Sequence, residues 1–335
     1  MFSKVYENIK KFIISEWKPL LFIILFALIT NLRLPYIIEA PGGAVDLTDR
    51  VVIDTDNKAQ GSFNMAYVTS ITGTPLSLLI AGVRSDWDIV KKSDLTLDGE
   101  DYEDSLERDR MYLEEAKTNA IISAYKAAGA DITIKNTHNK VIYIGEEAET
   151  DLEIGDIILR VDGTECHDLE SIKKLIATYK ENDEVTIDII RDGKEKQAKA
   201  KLYKSDDGIK IGLISVLEHE IKTTPEIEVK YKNSESGPSG GLMTALEIYN
   251  RLTEEDLTKG RKIIGTGTID DQGNVGGIGG VKYKLAGAVK EHAEIFLCPK
   301  ENYEEAKDLQ EKKNYDIKVI GVATLGDAIK ELEGI

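Results

Sequence analysis

Apolar and polar positions along the 335-residue chain fall into four successive patterns. The first is an uncharged run from Pro19 to Leu32, centred on Leu20-Leu-Phe-Ile-Ile-Leu-Phe-Ala-Leu-Ile29. As a helix it would be about 21 Å long, against about 30 Å of hydrocarbon in a bilayer. Lys18 and Arg33 can snorkel, and Trp17, Leu34, Tyr36, Ile37 and Ile38 extend the stretch at both ends. Three readings compete: a retained anchor, a cleaved signal and a buried core helix. The basic flank and terminal position serve no core purpose. No small-x-small cleavage site directly follows, Ile38-Glu-Ala40 being the nearest. A cytoplasmic tail and transmembrane anchor is therefore expected over 1–38. Lys4, Lys10, Lys11 and Lys18 face only Glu7 and Glu16, so residues 1–18 are expected in the cytoplasm and the rest outside the membrane.

The second pattern, over 39–131, is mixed. Pro41-Gly42-Gly43 breaks the chain, and Val51–Ile53 and Met65–Ile71 read as strands. Eight of the sixteen positions from Asp94 to Asp109 are acidic. This predicts a solvated loop, since the run lacks the glycine turn of a calcium loop. Arg110–Ala128 carries Met111, Ala116, Ile122 and Tyr125 on one helical face, and Gly129 stops it. The third pattern starts near Ile132 and is strand-rich. Leu152-Glu-Ile-Gly155-Asp156-Ile-Ile-Leu159-Arg-Val-Asp162-Gly163 places an alternating strand between two tight turns. Asp168 can cap a helix over Leu169–Tyr179 whose stripe is Leu169, Ile172, Leu175 and Ile176. Val185–Ile190 and Arg191-Asp-Gly193 complete a strand and hairpin. The fourth pattern alternates helix and strand: a helix over Leu242–Leu252, a strand and turn over Gly265–Gly273, and a helix opening at Val275-Gly-Gly-Ile-Gly-Gly-Val-Lys282.

Composition narrows the function classes. Sixty acidic and 43 basic residues give a net charge of −17, which repels phosphate backbones, and no basic stripe with interleaved aromatics offsets it; nucleic acid is not an expected partner. Cys166 and Cys298 lie far apart and make neither a metal-spaced pair nor a disulfide scaffold. None of His138, His167, His219 and His292 has a partner at i, i+4, so no metal site and no cofactor is expected.

The chemistry concentrates in the last third. Glu235-Ser-Gly237-Pro238-Ser239-Gly240-Gly241 sets Ser239 at a helix N-terminus beside glycines that let a substrate backbone approach. An ordinary N-cap explains the same residues. The second element, Gly279-Gly280-Val281-Lys282, changes the balance. It is not a phosphate loop, because Tyr283 follows Lys282 and the G-x-x-x-x-G-K spacing is missing. On a helical wheel Lys282 shares a face with Leu285, Ala286 and Val289, while Lys284 points about 200° away. A desolvated amine can serve as general base, so the pattern predicts a Ser–Lys dyad: Ser239 the nucleophile, Lys282 the base, and nearby backbone N–H groups the oxyanion donors.

Two family resemblances follow from these motifs. The L-x-x-G-D-x-I-L-x-V-D-G run resembles a PDZ domain over 132–203, implying a groove that takes an extended peptide as an added strand. No G-Φ-G-Φ loop precedes the second strand, where Asn136-Thr-His-Asn-Lys140 stands instead. Gly237-Pro238-Ser239-Gly240-Gly241 with Gly279-Gly280-Val281-Lys282 resembles the proteolytic domain of Lon-type serine peptidases over 208–335. By that resemblance Gly237, Gly240 and Thr266 support the site. Ser236 stands where the family often has an acidic residue, and no Walker motif lies upstream. Anchor, PDZ and Lon-like parts together resemble the membrane-anchored PDZ–Lon proteins of Gram-positive bacteria. The implied fold class is α+β, with a transmembrane anchor, a β-rich PDZ-like domain and an α/β proteolytic domain. The implied function is ATP-independent cleavage of peptides or unfolded protein segments outside the cell membrane, by a chain that touches the lipid bilayer through its first helix and assembles as a homo-oligomer. A non-catalytic peptide-binding scaffold with a degenerate Lon-like domain is the competing reading, and self-processing near the membrane a third.

Overall fold

The computed structural model describes residues 2–55, 57, 59–166 and 168–335. The chain divides into two compact units, one of residues 1–41 with 68–95 and one of 42–67 with 96–335.

In the smaller unit, helices α1 (Phe2–Ser15) and α2 (Trp17–Asn31) meet at a bend of 78°. No single helix among the described residues is long and apolar enough to cross a membrane; these two pass that test only as a bent pair. The anchor expected from Pro19 to about Ile38, after a tail of residues 1–18, is helical only as far as Asn31, and by Tyr36 the chain has become a strand. The apolar run itself is short: α2 is apolar from Pro19 to Ile29, with Lys18 before it and Thr30 and Asn31 closing it, whereas α1 mixes Lys10 and Lys11 with Ile9, Phe12 and Ile13. No residue of α2 is buried. A short helix, α3 (Pro75–Ala81), starts at a capping box made by Thr74 and Ser77. The first residues of the strand Tyr36–Asp46 pair antiparallel with Asp88–Lys91.

The larger unit is organised by a parallel sheet. Ser62–Met65 pairs with Lys262–Gly265, which pairs with Ile295–Pro299, which in turn pairs with Lys318–Val322. Helix α4 (Tyr102–Ala128) has an N-cap at Asp101, bonded to the backbone of Glu103 and Asp104, and stops at left-handed Gly129. Part of the acidic run expected to be a loop is therefore its first turns. Carboxylates there suit the positive end of the helix dipole. Leu47, Val51, Phe63, Ala120 and Tyr125 join Leu242, Leu246, Ile263 and Leu297 in one core. The segment expected as one piece over 39–131 is thus divided: 42–67 and 96–128 supply parts of this core, and 68–95 belong to the smaller unit.

The strands Asp131–Ile144, Ile157–Val161, Glu184–Arg191 and Lys194–Lys201 form an antiparallel sheet with its own core, covered by α5 (Leu169–Ile176), which Asp168 caps as expected. Its terminal strand is Leu213–Thr224, paired along its length with Asp131–Ile144. Sequence placed those residues in the following domain; the sheet claims them because their backbone completes its edge. Helices α6 (Gly241–Leu252), α7 (Val281–Lys290), α8 (Tyr303–Lys313) and α9 (Leu325–Glu333) complete the C-terminal part.

Candidate active site

The strand Lys262–Gly265 runs into Thr266-Gly267, and three backbone bonds tie this end to its surroundings. The Thr266 amide donates to Leu297 O at 2.9 Å, the Gly267 amide to Ser239 O at 2.8 Å, and the Leu242 amide to Gly267 O at 3.0 Å. They hold a 3₁₀ turn, Pro238–Gly240, against the sheet and lead it into α6. Ser239 sits half-buried in that turn, with Gly240 as the N-cap of α6. Met65 packs directly on Gly240: a Cβ there would lie 2.8 Å from Met65 Sδ and the thioether would have to move aside. Gly237 has φ +83°, and its amide donates to the carbonyl of Asp109 on α4 at 2.9 Å. That amide is engaged within the fold, so Gly237 shapes the turn rather than pointing an N–H at substrate.

The chain leading to the serine is pinned on its outer side. Arg50 meets Glu235 at 2.9 Å, and Tyr231 OH and Thr244 Oγ1 are 2.8 Å apart. Burial pushes the Tyr231 phenol up to about 12, so it stays neutral and hydrogen-bonding. Asp109 brings a carboxyl near the same turn. Burial pushes that carboxyl above the usual range, against the pull of Arg108 at 3.6 Å.

The lysines are where the structure corrects the sequence. Lys282 is exposed, its Nζ 4.8 Å from the centre of the Tyr283 ring. Lys284 is only 5% exposed, and its Nζ donates to Thr266 Oγ1 at 3.2 Å. Thr266 is itself fully buried and its hydroxyl donates to Ser239 O at 3.0 Å. A continuous path Lys284–Thr266–Ser239 results, and Lys282 is not on it. The wheel admitted two registers because Leu285, Ala286, Ala288 and Val289 are all apolar. The buried stripe of α7 is Val281, Lys284, Leu285 and Ala288, at i, i+3, i+4 and i+7. Reading the stripe from Val281 would have found Lys284.

Among the described residues, no group of three or more His, Cys, Asp or Glu could hold a metal ion; His167 lies outside the described residues. A cavity of about 450 Å³ opens away from the serine, where Asp131–Ile144 diverges from Ile157–Val161, lined by Ile134, His138, Arg160 and Cys166 among others. The antiparallel sheet also has an outer edge. There the strand Leu213–Thr224 is entered through Gly212 at φ +90°, and Ile209 and Leu213 pack on the core to which α5 contributes. Glu115 on α4 accepts the Leu217 amide at 3.0 Å. Gly212 lies beside Gly145, whose amide donates to its carbonyl at 2.8 Å, while Asn136 pairs with Glu220 towards the other end of the same two strands.

Residues 229–333 match the Lon protease (S16) C-terminal proteolytic domain. About a third of the chain is thus similar to a Lon-type proteolytic domain. Residues 126–202 match a PDZ domain, placing the antiparallel sheet in that class. Lon proteases from three bacteria are similar. One from Aster yellows witches'-broom phytoplasma is 28% identical over 96 residues, covering 29% of this chain and 12% of that protein. One from Rhizobium meliloti is 26% identical over 235 residues, covering 67% of this chain and 28% of that protein. One from Campylobacter concisus is 36% identical over 95 residues, covering 28% and 12%. The chain therefore spans only a small part of the length of these relatives. The solved PDZ domain of the SdrC-like protein from Listeria monocytogenes covers 26% of this chain and 93% of its own, with 24% identity and a TM-score of 0.23. Ser239, Thr266 and Lys284 all fall within the matched stretch and are its candidate chemistry.

Proposed function

We propose that the chain is an ATP-independent serine endopeptidase whose dyad is Ser239 and Lys284. The observation that carries this reading is the buried amine of Lys284 bonded to Thr266 Oγ1, which in turn bonds the Ser239 carbonyl. Burial disfavours the charged form of an amine, and an amine that gives up its proton can accept another from a hydroxyl. Ser239 Oγ attacks the scissile carbonyl carbon as Lys284 takes the hydroxyl proton. The tetrahedral oxyanion is held by backbone N–H groups of the Pro238–Gly240 turn, for which we assign the Gly240 amide. The C–N bond breaks as Lys284 returns the proton to the departing amine, leaving an ester on Ser239. Water, deprotonated by Lys284, then cleaves the ester and restores the serine.

In this reading substrates are peptides or already unfolded segments that reach the serine without a motor. The edge of the PDZ sheet at Leu213–Val216 is the place we assign for an extended segment to dock as an added strand. The smaller unit suits a bilayer: α2 buries none of its side chains against protein, and at about 22 Å it would span a locally thinned or distorted membrane. With the basic α1 on the cytoplasmic side, the peptidase part would lie outside the cell.

The test is cleavage of an unfolded protein by the full chain in detergent without ATP, and labelling by a serine-directed probe. Ser239→Ala and Lys284→Ala are expected to lose cleavage by at least about a hundredfold, the low end for an acid–base group, while Lys282→Ala keeps it. Full activity in Lys284→Ala, or loss only in Lys282→Ala, would return the base to Lys282. Cleavage retained in Ser239→Ala would overturn the dyad, and a wild type that neither cleaves nor reacts with the probe would favour the binding-scaffold reading.

A further inference from the structure

The apolar stripe of α3 points the wrong way for a protein core. Leu76, Leu79, Ile80 and Val83 recur at i, i+3, i+4 and i+7, the spacing of a single helical face, with Val83 in the turn that follows the helix. All four are exposed, Leu79 by 70% and Val83 by 84%, while Ala81 is the residue α3 buries. The stripe lies in an uncharged stretch reaching from Ala59 to Val83. An amphipathic face turned outward needs an occupant.

Three features of the same unit identify that occupant as lipid. The stretch α3 belongs to is joined to the end of α2, since the Leu34 amide donates to Gly73 O at 2.8 Å. The α2 side chains Leu21 to Ile29 are likewise exposed, so the two apolar surfaces are neighbours. The unit's charge departs from that of the chain, with eight basic and six acidic residues in a molecule of net −17. At the margin of the stripe, the Arg84 guanidinium lies 5.3 Å from the centre of the Trp87 ring. A cation beside an indole is the pairing that suits the headgroup region.

We propose that α3 is a second membrane contact, its Leu76–Leu79–Ile80–Val83 face lying in the outer boundary between headgroups and acyl chains beside α2. It acts as an interfacial helix, buried by several ångströms rather than spanning. The contact rests on the reading of α2 as a bilayer element and adds a docking face that α2 alone does not require.

Single cysteines introduced as Leu25→Cys, Leu79→Cys and Lys313→Cys, each carrying an environment-sensitive fluorophore, test it in the full chain. The chain is reconstituted in phosphatidylglycerol–phosphatidylcholine vesicles whose acyl chains carry bromine as quencher. Cys166 and Cys298 are buried, and the unsubstituted chain serves as the labelling blank. Quenching at 25 and 79 but not at 313 is the expected result. Quenching at 25 without 79 overturns the α3 contact and leaves α2 in the bilayer. Quenching at 79 without 25 supports the α3 contact and overturns the α2 reading. Quenching at neither overturns both. Shielding of the label at 79 from aqueous iodide with no lipid quenching assigns the face to another protein copy and overturns the proposal.

Discussion

Thr266 is the residue on which the candidate site turns. Its hydroxyl accepts from the Lys284 amine and donates to the Ser239 carbonyl, so a single buried oxygen sets where both groups stand. Replacing it with valine keeps the volume and removes both bonds. The Ser239 carbonyl keeps its bond from the Gly267 amide, so the loss falls on the placement of the Lys284 amine relative to the serine turn. Thr266→Val is expected to lower cleavage about tenfold or more with little change in KM, and Thr266→Ser to restore most of it, as read by steady-state assays against the unfolded substrate. Ser239 and Thr266 were legible from the G-P-S-G-G run and the strand that follows it. The base was not, because a short helix rich in alanine and glycine offers two faces of similar hydropathy. Only the packing of Val281 and Leu285 under the sheet decides which lysine turns inward.

At the scale of elements, α6 carries a second buried charge that the chemistry does not use. Glu247 is fully buried and accepts from Arg251 Nε at 2.8 Å, while its Oε2 has no hydrogen-bond partner among the described residues. Burial pushes this carboxyl above the usual range, and Arg251 opposes the shift. The folded state therefore keeps the Glu247 proton at pH values where the unfolded chain has lost it. Stability from this group is greatest at low pH and falls as pH rises from the ordinary glutamate range through the raised value. Urea unfolding of Glu247→Gln across that window is expected to lack this fall and to match or exceed the wild type above it. Helix ends were well read where caps are local: Asp168 and Gly129 stand where sequence put them. The start of α4 was missed because an acidic run reads as solvated loop until one member, Asp101, is recognised as its cap.

At the scale of the whole chain, the Lon-type match begins at residue 229, but the core does not. Lys262–Gly265 pairs on one side with Ser62–Met65, and α4 packs Ala120 and Tyr125 into the cluster that holds Leu242 and Leu246. Sequence patterns found the strands and the helix but could not say where they go, since pairing between residues two hundred positions apart leaves no periodic trace. A fragment of 229–335 alone lacks that neighbour strand and the Asp109 carbonyl that fixes Gly237. It is expected to show broad, non-cooperative thermal unfolding and no reaction with a serine-directed probe, whereas the full chain unfolds cooperatively and reacts.

The bond from the Gly237 amide to Asp109 also bears on how such a chain is made and broken. The α4 carbonyl that anchors Gly237 is synthesised before the serine turn, whereas Thr266, Gly267 and Lys284 follow it, so at the ribosome the dyad is the last part to be set. A nick at the exposed hairpin tip Asp206-Asp207 would divide the protein into two inert pieces, scaffold and machinery. Strand pairing between Asp131–Ile144 and Leu213–Thr224 would still hold them as partners, much as a lock keeps its bolt after the case is split.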